Sequence, residues 1–135
     1  MFACYQQLPH LHLHPNDLEL LKWYRAAAVM AFPTYHDEGL SRVLLESQAM
    51  KVPPVSYISG GTPGGIIDGK TGFLVKKGNV SGLARRIEEL IRDEGRRKQM
   101  GENGRAFIKE QFSLTALGSR HVKFYLSALR KMVRG

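Results

Sequence analysis

The chain has 135 residues, of which 43% are hydrophobic and 24% charged, enough for one domain with a buried core. Its single cysteine, Cys4, excludes an internal disulfide framework and is typical of a reducing compartment, so we expect a cytoplasmic protein. No apolar run has the length of a membrane span. The net charge of +8 makes nucleic acid and anionic membranes candidate partners.

A short strand and a helix are the first predicted elements. Hydrophobicity alternates with period two over 8–14, and the Pro-Asn-Asp sequence at 15–17 supplies the cap chemistry of a helix. His10, His12 and His14 would share one face of the strand, and three histidines can hold zinc. No cysteine or carboxylate in this segment completes a zinc site, so an ordinary strand is favoured over a metal site.

The next strand and helix carry two carboxylates. An apolar strand over 28–32 ends at Pro33, and a polar loop leads to a helix that begins near Ser41. Ligands of an open α/β sheet bind at such turns, outside the carboxyl ends of the strands. Glu38 lies on the loop, and Glu46 lies in the helix, where side chains lean back toward the helix N-terminus. Both carboxylates can therefore address one ligand.

Further strands and helices complete the pattern. Strands are predicted at 53–58 and 73–75, separated by a glycine-rich loop at 60–65, and helices at 79–92, 94–111 and 113–133. Gly101 and Gly104 are expected to weaken the middle of the helix at 94–111. Alternating strands and helices predict an α/β fold with a small, doubly wound parallel sheet of about four strands, followed by C-terminal helices.

Four sequence blocks, taken together, resemble one enzyme family. Glu38 and Glu46 match the Glu-x7-Glu motif of retaining, nucleotide-sugar-dependent glycosyltransferases of GT-B architecture. Gly60-Gly61-Thr62-Pro63 is similar to the Gly-Gly-x-Pro loop of that family, and 68–75 is similar to its Asp-Gly-x-Thr-Gly-x-Leu-Val segment. The segments at 83–91 and 100–105 resemble its C-terminal helices. The blocks follow the family order and cover most of the chain.

The resemblance implies a domain organisation. Residues 1–112 would form a partial nucleotide-sugar-binding domain, the Rossmann-like half of a GT-B fold, and 113–135 a C-terminal helix that packs on it or extends from it. The chain would be a fragment without its N-terminal acceptor domain and inactive alone. Its function would be the donor-binding part of a retaining glycosyltransferase that moves a sugar to a polysaccharide or lipid-linked acceptor. The nucleotide sugar is the donor substrate, and no cofactor or metal is expected.

Glu38 and Glu46 receive separate roles from the resemblance. The first glutamate of the family motif contacts the donor sugar near the reacting carbon, so Glu38 is the candidate catalytic residue. A carboxylate there can stabilise the positive charge that develops on the sugar ring in the transition state. The second glutamate of the motif, here Glu46, is assigned to the ribose hydroxyls.

The other candidate residues would bind the substrate. Backbone N–H groups and the macrodipole at the start of the helix favour a diphosphate, and the glycine loop would bring its backbone close to the phosphate or sugar. These candidates are Gly39, Leu40, Ser41, Arg42, Gly60, Gly61 and Thr62. Arg42 has two candidate partners. Its guanidinium can pair with a phosphate or acceptor charge, or it can pair with Glu46 one helical turn later.

Three departures from the family pattern, at Lys51, Pro54 and Gly64, and the basic charge leave alternatives. Lys51 stands where the family has glycine, which concerns a turn. Gly64 replaces a usual glutamate, which favours a non-catalytic binding or regulatory module of the same fold.

A nucleic-acid-binding domain is a remote alternative, because its groove needs exposed aromatics among the basic residues. Solvated helix faces are the favoured explanation of the charge, and peripheral contact with anionic lipid at the inner membrane face is the next. The aromatic side chains expected in the core instead are Phe107, Phe112, Phe124 and Tyr125.

Overall fold

The structure is a computed structural model that describes residues 17–133, so the predicted strand at 8–14 and its three histidines lie outside the described residues. Within this range the elements are α1 (Asp17–Ala26), β1 (Met30–Phe32), α2 (Arg42–Ala49), β2 (Pro54–Tyr57), α3 (Thr62–Gly65), β3 (Phe73–Val75), α4 (Val80–Arg92), α5 (Glu94–Phe112) and α6 (Leu114–Val133). None of these helices is both long and apolar enough to cross a bilayer.

The three strands of the described residues form one parallel sheet in the order β1-β2-β3. Met30 of β1 lies opposite Pro54 of β2, and Val55 of β2 lies opposite Phe73 of β3. The predicted α/β class with a parallel sheet is confirmed. Because all three strands run in one direction, their carboxyl ends lie at the same edge of the sheet, and so do the loops that leave them.

The core lies on both faces of β2. Val55 and Tyr57 share one face and belong to a buried cluster that also contains Phe73, Val75, Leu83, Leu90 and Met100. Pro54 and Ser56 point to the opposite face and are also fully buried. Both faces of the central strand β2 are therefore covered, as expected for a doubly wound sheet. Burying each large apolar side chain contributes roughly 1.5–3 kcal/mol, so this cluster stabilises the strands from which the loops extend.

Side-chain caps fix the starts of the last three helices. Asn79 Oδ1 accepts a hydrogen bond from the Gly82 N–H at 2.8 Å, and Ser113 Oγ accepts one from the Ala116 N–H at 3.2 Å. These two helix starts are as predicted. Asp93 caps α5 in the same way, with its Oδ1 atom 2.8 Å from the Arg96 nitrogen. A polar oxygen at the N-cap satisfies a backbone donor that the helix itself leaves unpaired.

Gly101 and Gly104 do not interrupt α5, which is continuous from Glu94 to Phe112. A Cβ atom at Gly101 would lie 2.2 Å from the carbonyl oxygen of Lys51, so α5 packs directly on the turn that follows α2. At Gly104 a Cβ atom would lie 3.3 Å from the Cβ atom of Gln48. The expected weakening of the helix is offset by this close packing. Lys51 itself has φ 65°, the left-handed conformation that suits the family's usual glycine.

The exposed apolar side chains of α6 contradict part of the core prediction. Phe124 is 67% exposed and Tyr125 is 61% exposed, because α6 packs on α5 while much of its own apolar face has no cover within 17–133. Phe107 and Phe112 are half-buried and pack edge to face, with ring centroids 5.6 Å apart. Helix α6 has no acidic residue. Its contact with an anionic membrane stays a prediction. The domain boundary between residues 112 and 113 also stays a prediction.

Replacing Gly101 with alanine is expected to lower the free energy of unfolding by roughly 1–3 kcal/mol, because the added methyl group overpacks the α5 contact with Lys51. Gly118→Ala is the matched control, since a Cβ atom there meets nothing within 4 Å. This control should raise stability by about 0.4–1 kcal/mol through the unfolded chain. Urea denaturation measures both changes. Equal stabilisation by the two alanines would contradict the close helix packing.

Candidate functional site

The candidate site lies at the sheet edge where the carboxyl ends of the strands meet. We call residues 33–41 the β1 loop, 58–61 the β2 loop and 76–79 the β3 loop. The β1 loop leads into α2, and the β2 loop leads into the short helix α3. Loops in this position on an open α/β sheet are the usual place for a ligand.

The β2 loop packs directly on the backbone of the β1 loop. The Gly61 N–H donates to the Glu38 carbonyl oxygen at 2.8 Å. A Cβ atom at Gly60 would lie 2.1 Å from that same oxygen, and one at Gly61 would lie 2.5 Å from the Leu40 nitrogen. Gly60 also has φ 47°, a conformation that side chains disfavour. The close approach and the backbone conformation account for both glycines, and their contact with a ligand stays a prediction.

Thr62 supports the β2 loop from inside the protein. Its Oγ1 atom accepts a hydrogen bond from the Ser59 N–H at 3.0 Å and donates to the Tyr57 carbonyl at 2.9 Å. The residue is fully buried. Thr62 was predicted to bind substrate, and its buried hydrogen bonds restrict any such role to holding the loop in place.

Glu46 is held by two neighbouring side chains and is still 33% exposed. The Tyr24 hydroxyl donates to Glu46 Oε2 at 3.2 Å, and Arg42 Nη2 donates to Oε1 at 3.2 Å. Of the two predicted contacts of Arg42, the structure shows the one with Glu46. Arg42 is the first residue of α2, so this contact agrees with the predicted lean of the Glu46 carboxylate toward the helix start. Glu38 is exposed on the β1 loop.

The start of α2 has room for an incoming group. Ser41 is the N-cap residue, and its side chain makes no capping hydrogen bond. A Cβ atom at Gly39 would meet nothing within 4 Å. The Leu40 side chain packs toward α3, because a Cβ atom at Gly65 would lie 2.5 Å from Leu40 Cδ1. The first N–H groups of a helix have no partner within the helix, and they lie at the positive end of its dipole.

Asp37 joins all three loops, and the sequence reasoning missed it. Its Oδ1 atom accepts from Ser59 Oγ at 2.7 Å, from the Gly60 N–H at 3.1 Å and from Lys77 Nζ at 3.1 Å. The Ser59 hydrogen bond, and then the hydrogen bond and charge of Lys77, lower the pKa of Asp37 below its ordinary value of 3.8. The available signal was position, since Asp37 and Lys77 both follow strands at the same sheet edge.

Among residues 17–133 no group of three histidine, cysteine, aspartate or glutamate side chains could hold a metal ion. The carboxylates of the site have other contacts. Asp37 pairs with Lys77, and Glu46 pairs with Arg42. Two carboxylates of the candidate site are therefore already paired with cationic side chains of the protein.

Comparison with known proteins gives one family. The profile described as "Glycosyl transferases group 1" matches residues 5–107. The capsular polysaccharide biosynthesis glycosyltransferase CapM of Staphylococcus aureus is 33% identical over 125 residues, which cover 93% of this chain and 33% of CapM. The chain spans about a third of that relative's length.

Two solved structures have a similar fold. Sucrose-phosphate synthase from Thermosynechococcus elongatus has a TM-score of 0.71 and 27% identity, over 81% of this chain and 27% of that protein. Anabaena HepE in complex with UDP has a TM-score of 0.73 over 78% of this chain and 29% of HepE. Its identity of 23% supports the fold alone.

Gly60→Ala is expected to separate the β2 loop from Glu38 and to lower the free energy of unfolding by roughly 1–3 kcal/mol, through left-handed strain and the clash with the Glu38 carbonyl. Gly64→Ala is the control, because a Cβ atom there meets nothing within 4 Å. Urea denaturation and the amide NMR signal of Gly61 measure the two effects. An unchanged Gly61 signal in Gly60→Ala would show that the loops do not pack in this way.

Proposed function

We propose a donor-binding function for this chain, which belongs to the glycosyl transferases group 1 family. In this proposal the chain binds the nucleoside-diphosphate part of a sugar donor as the C-terminal part of a retaining glycosyltransferase. The acceptor would be a polysaccharide or a lipid-linked molecule. The observation that carries the proposal is the β1 loop, which bears Glu38 and leads to the open start of α2, and which the β2 loop holds in place at the sheet edge. The UDP in the similarly folded HepE supports uridine diphosphate as a first probe.

The start of α2 would bind the diphosphate. Backbone N–H groups of Gly39, Leu40 and Ser41 lie at the positive end of the α2 dipole, which favours an anion. The space beside Gly39 supports this role, since a Cβ atom there would meet nothing within 4 Å. Glycine at this position is therefore not demanded by protein packing, and a phosphate group can approach the backbone closely.

Glu46 would accept hydrogen bonds from the ribose hydroxyls. Tyr24 and Arg42 each donate one hydrogen bond to the carboxylate, and these contacts fix its orientation. A carboxylate has about four lone-pair sites, so two donors leave acceptor capacity for a ligand. The partial exposure of Glu46 supports this role, because its remaining acceptor sites can be reached from solvent.

Glu38 would act at the sugar. Its backbone carbonyl is fixed by Gly61, so its position along the β1 loop is set while its side chain is exposed. A carboxylate near the reacting carbon can stabilise an oxocarbenium-like transition state. A retaining stereochemical outcome belongs to the same proposal.

A non-catalytic binding module is the second candidate, because Gly64 stands at the position where the family has a glutamate. A Cβ atom at Gly64 meets nothing within 4 Å, so a larger side chain would fit there. The two candidates share nucleotide binding and differ in turnover. Because the chain is expected to be inactive alone, the test adds an N-terminal acceptor domain of the family. Release of sugar from a nucleotide donor by the wild type, absent in Glu38→Gln, would favour the enzyme.

Gly39→Ala is expected to weaken binding of both UDP and inorganic diphosphate about tenfold, because the new methyl group blocks close approach to the α2 backbone. Gly64→Ala should bind both ligands as the wild type does. NMR titration at low salt suits the expected affinity of about millimolar. Equal affinities for wild type and Gly39→Ala would contradict the diphosphate position, and absence of UDP binding to the wild type would contradict the proposed function.

Glu46→Gln is expected to weaken UDP binding about tenfold or more, since a charge-assisted hydrogen bond contributes roughly 1.5–3 kcal/mol. Binding of inorganic diphosphate, which has no ribose, should stay unchanged in the same variant. Glu102→Gln is the control, as Glu102 is an exposed carboxylate paired with Lys51 outside the site. A parallel loss of UDP and diphosphate binding would show that Glu46 acts on the whole loop and not on the ribose.

A further inference from the structure

We propose that Asp37 is a positioning residue, which through Lys77 and the β2 loop holds Glu38 in the place that donor binding requires. This inference rests on the proposed function in its donor-binding step alone. We call Asp37, Ser59, Gly60 and Lys77 the Asp37 clamp. Asp37 itself is not assigned any contact with the donor.

Three hydrogen-bond donors of the clamp contact one oxygen atom, Asp37 Oδ1. Asp37 Oδ1 lies 2.7 Å from Ser59 Oγ, 3.1 Å from the Gly60 nitrogen and 3.1 Å from Lys77 Nζ. Ser59 Oγ also lies 2.9 Å from the His36 carbonyl oxygen, a second acceptor on the β1 loop. The β1 loop is thus connected to the loops that follow β2 and β3.

Glu38 is positioned because it is the next residue along the chain. The Gly60 N–H donates to the Asp37 side chain, and the Gly61 N–H donates to the Glu38 carbonyl oxygen at 2.8 Å. Two successive residues of one loop are therefore bonded to two successive residues of the other. Sliding of either loop would break both hydrogen bonds, so the clamp fixes where the Glu38 backbone lies.

The exposure of the Asp37–Lys77 ion pair indicates whether the clamp acts mainly on global stability or on the position of the β2 loop. The Asp37 side chain is 72% exposed and that of Lys77 is 35% exposed, and such ion pairs contribute little to global stability because solvent screens them. Hydrogen bonds to an ionised acceptor are nevertheless short and directional. Loss of the clamp should therefore change the position and mobility of the β2 loop far more than the free energy of unfolding.

The ionisation of Asp37 gives a signature of the clamp. The folded protein holds the pKa of Asp37 below the ordinary value of 3.8, first through Ser59 and then through Lys77. The stabilising contribution is therefore present above pH 3.8 and is lost as the pH falls through the lowered pKa. The charged or titratable residues that adjoin the clamp along the chain are His36 and Glu38 on the β1 loop and Lys76 on the β3 loop.

The first test is an NMR pH titration of the Gly60 amide in the full chain. In the wild type we expect a midpoint below 3.8, and in Lys77→Met a midpoint closer to 3.8. Lys77→Arg, which keeps the positive charge, should restore the low midpoint, and Asp37→Asn should abolish the titration. Lys51→Met is the matched control, because it removes an exposed ion pair with Glu102 outside the clamp. A Gly60 midpoint at 3.8 in the wild type, or no response to Lys77→Met, would overturn the clamp.

The second test is the affinity for UDP. We expect Asp37→Asn to weaken UDP binding about fivefold while the urea midpoint stays close to that of the wild type. Wild-type affinity in this variant would overturn the positioning role. A wild-type chain that does not bind UDP would contradict the proposed function instead, and the Gly60 titration would still decide whether the clamp exists. The two failures are therefore distinguishable.

Discussion

The contact between the Gly61 N–H and the Glu38 carbonyl oxygen is the constraint on which the candidate site depends. It requires the two loops to approach so closely that a Cβ atom at Gly60 would lie 2.1 Å from the same carbonyl. The parallel sheet makes this approach possible, because neighbouring strands end at one edge, about 4.8 Å apart. The buried cluster around Val55 and Tyr57 fixes the strands, and Thr62 fixes the loop from inside. The contacts that stabilise the fold therefore also fix the backbone position of Glu38, whose side chain is exposed.

The proposed ligand is anionic, although three carboxylates surround the candidate site. Asp37 is paired with Lys77, and Glu46 is paired with Arg42, so two of the three negative charges are compensated within the protein. Glu38 takes part in neither pair. The positive end of the α2 dipole would then act on the proposed diphosphate against a single uncompensated carboxylate. With this distribution of charge, a carboxylate proposed to stabilise a cationic sugar can lie beside the proposed phosphate site.

Sequence patterns predicted the elements with strong local signals and missed interactions between distant residues. The caps Asn79 and Ser113 were predicted because N-cap chemistry involves residues three positions apart. Asp37 was missed because its partners, Ser59 and Lys77, are 22 and 40 positions away, and nothing local marks such contacts. Phe124 was assigned to the core because helical spacing reveals an apolar face but not what covers it.

Four glycines of the described residues differ in a way that bears on where a ligand would bind. Gly60, Gly61 and Gly101 each lie against backbone atoms that would clash with a side chain, so the fold demands them. Gly39 has open space around its Cβ position and no positive φ, so neither packing nor backbone conformation demands it. Glycine costs conformational entropy on folding that alanine would avoid. At the start of α2, beside the fixed backbone of Glu38, the proposed diphosphate would give a physical reason for that cost.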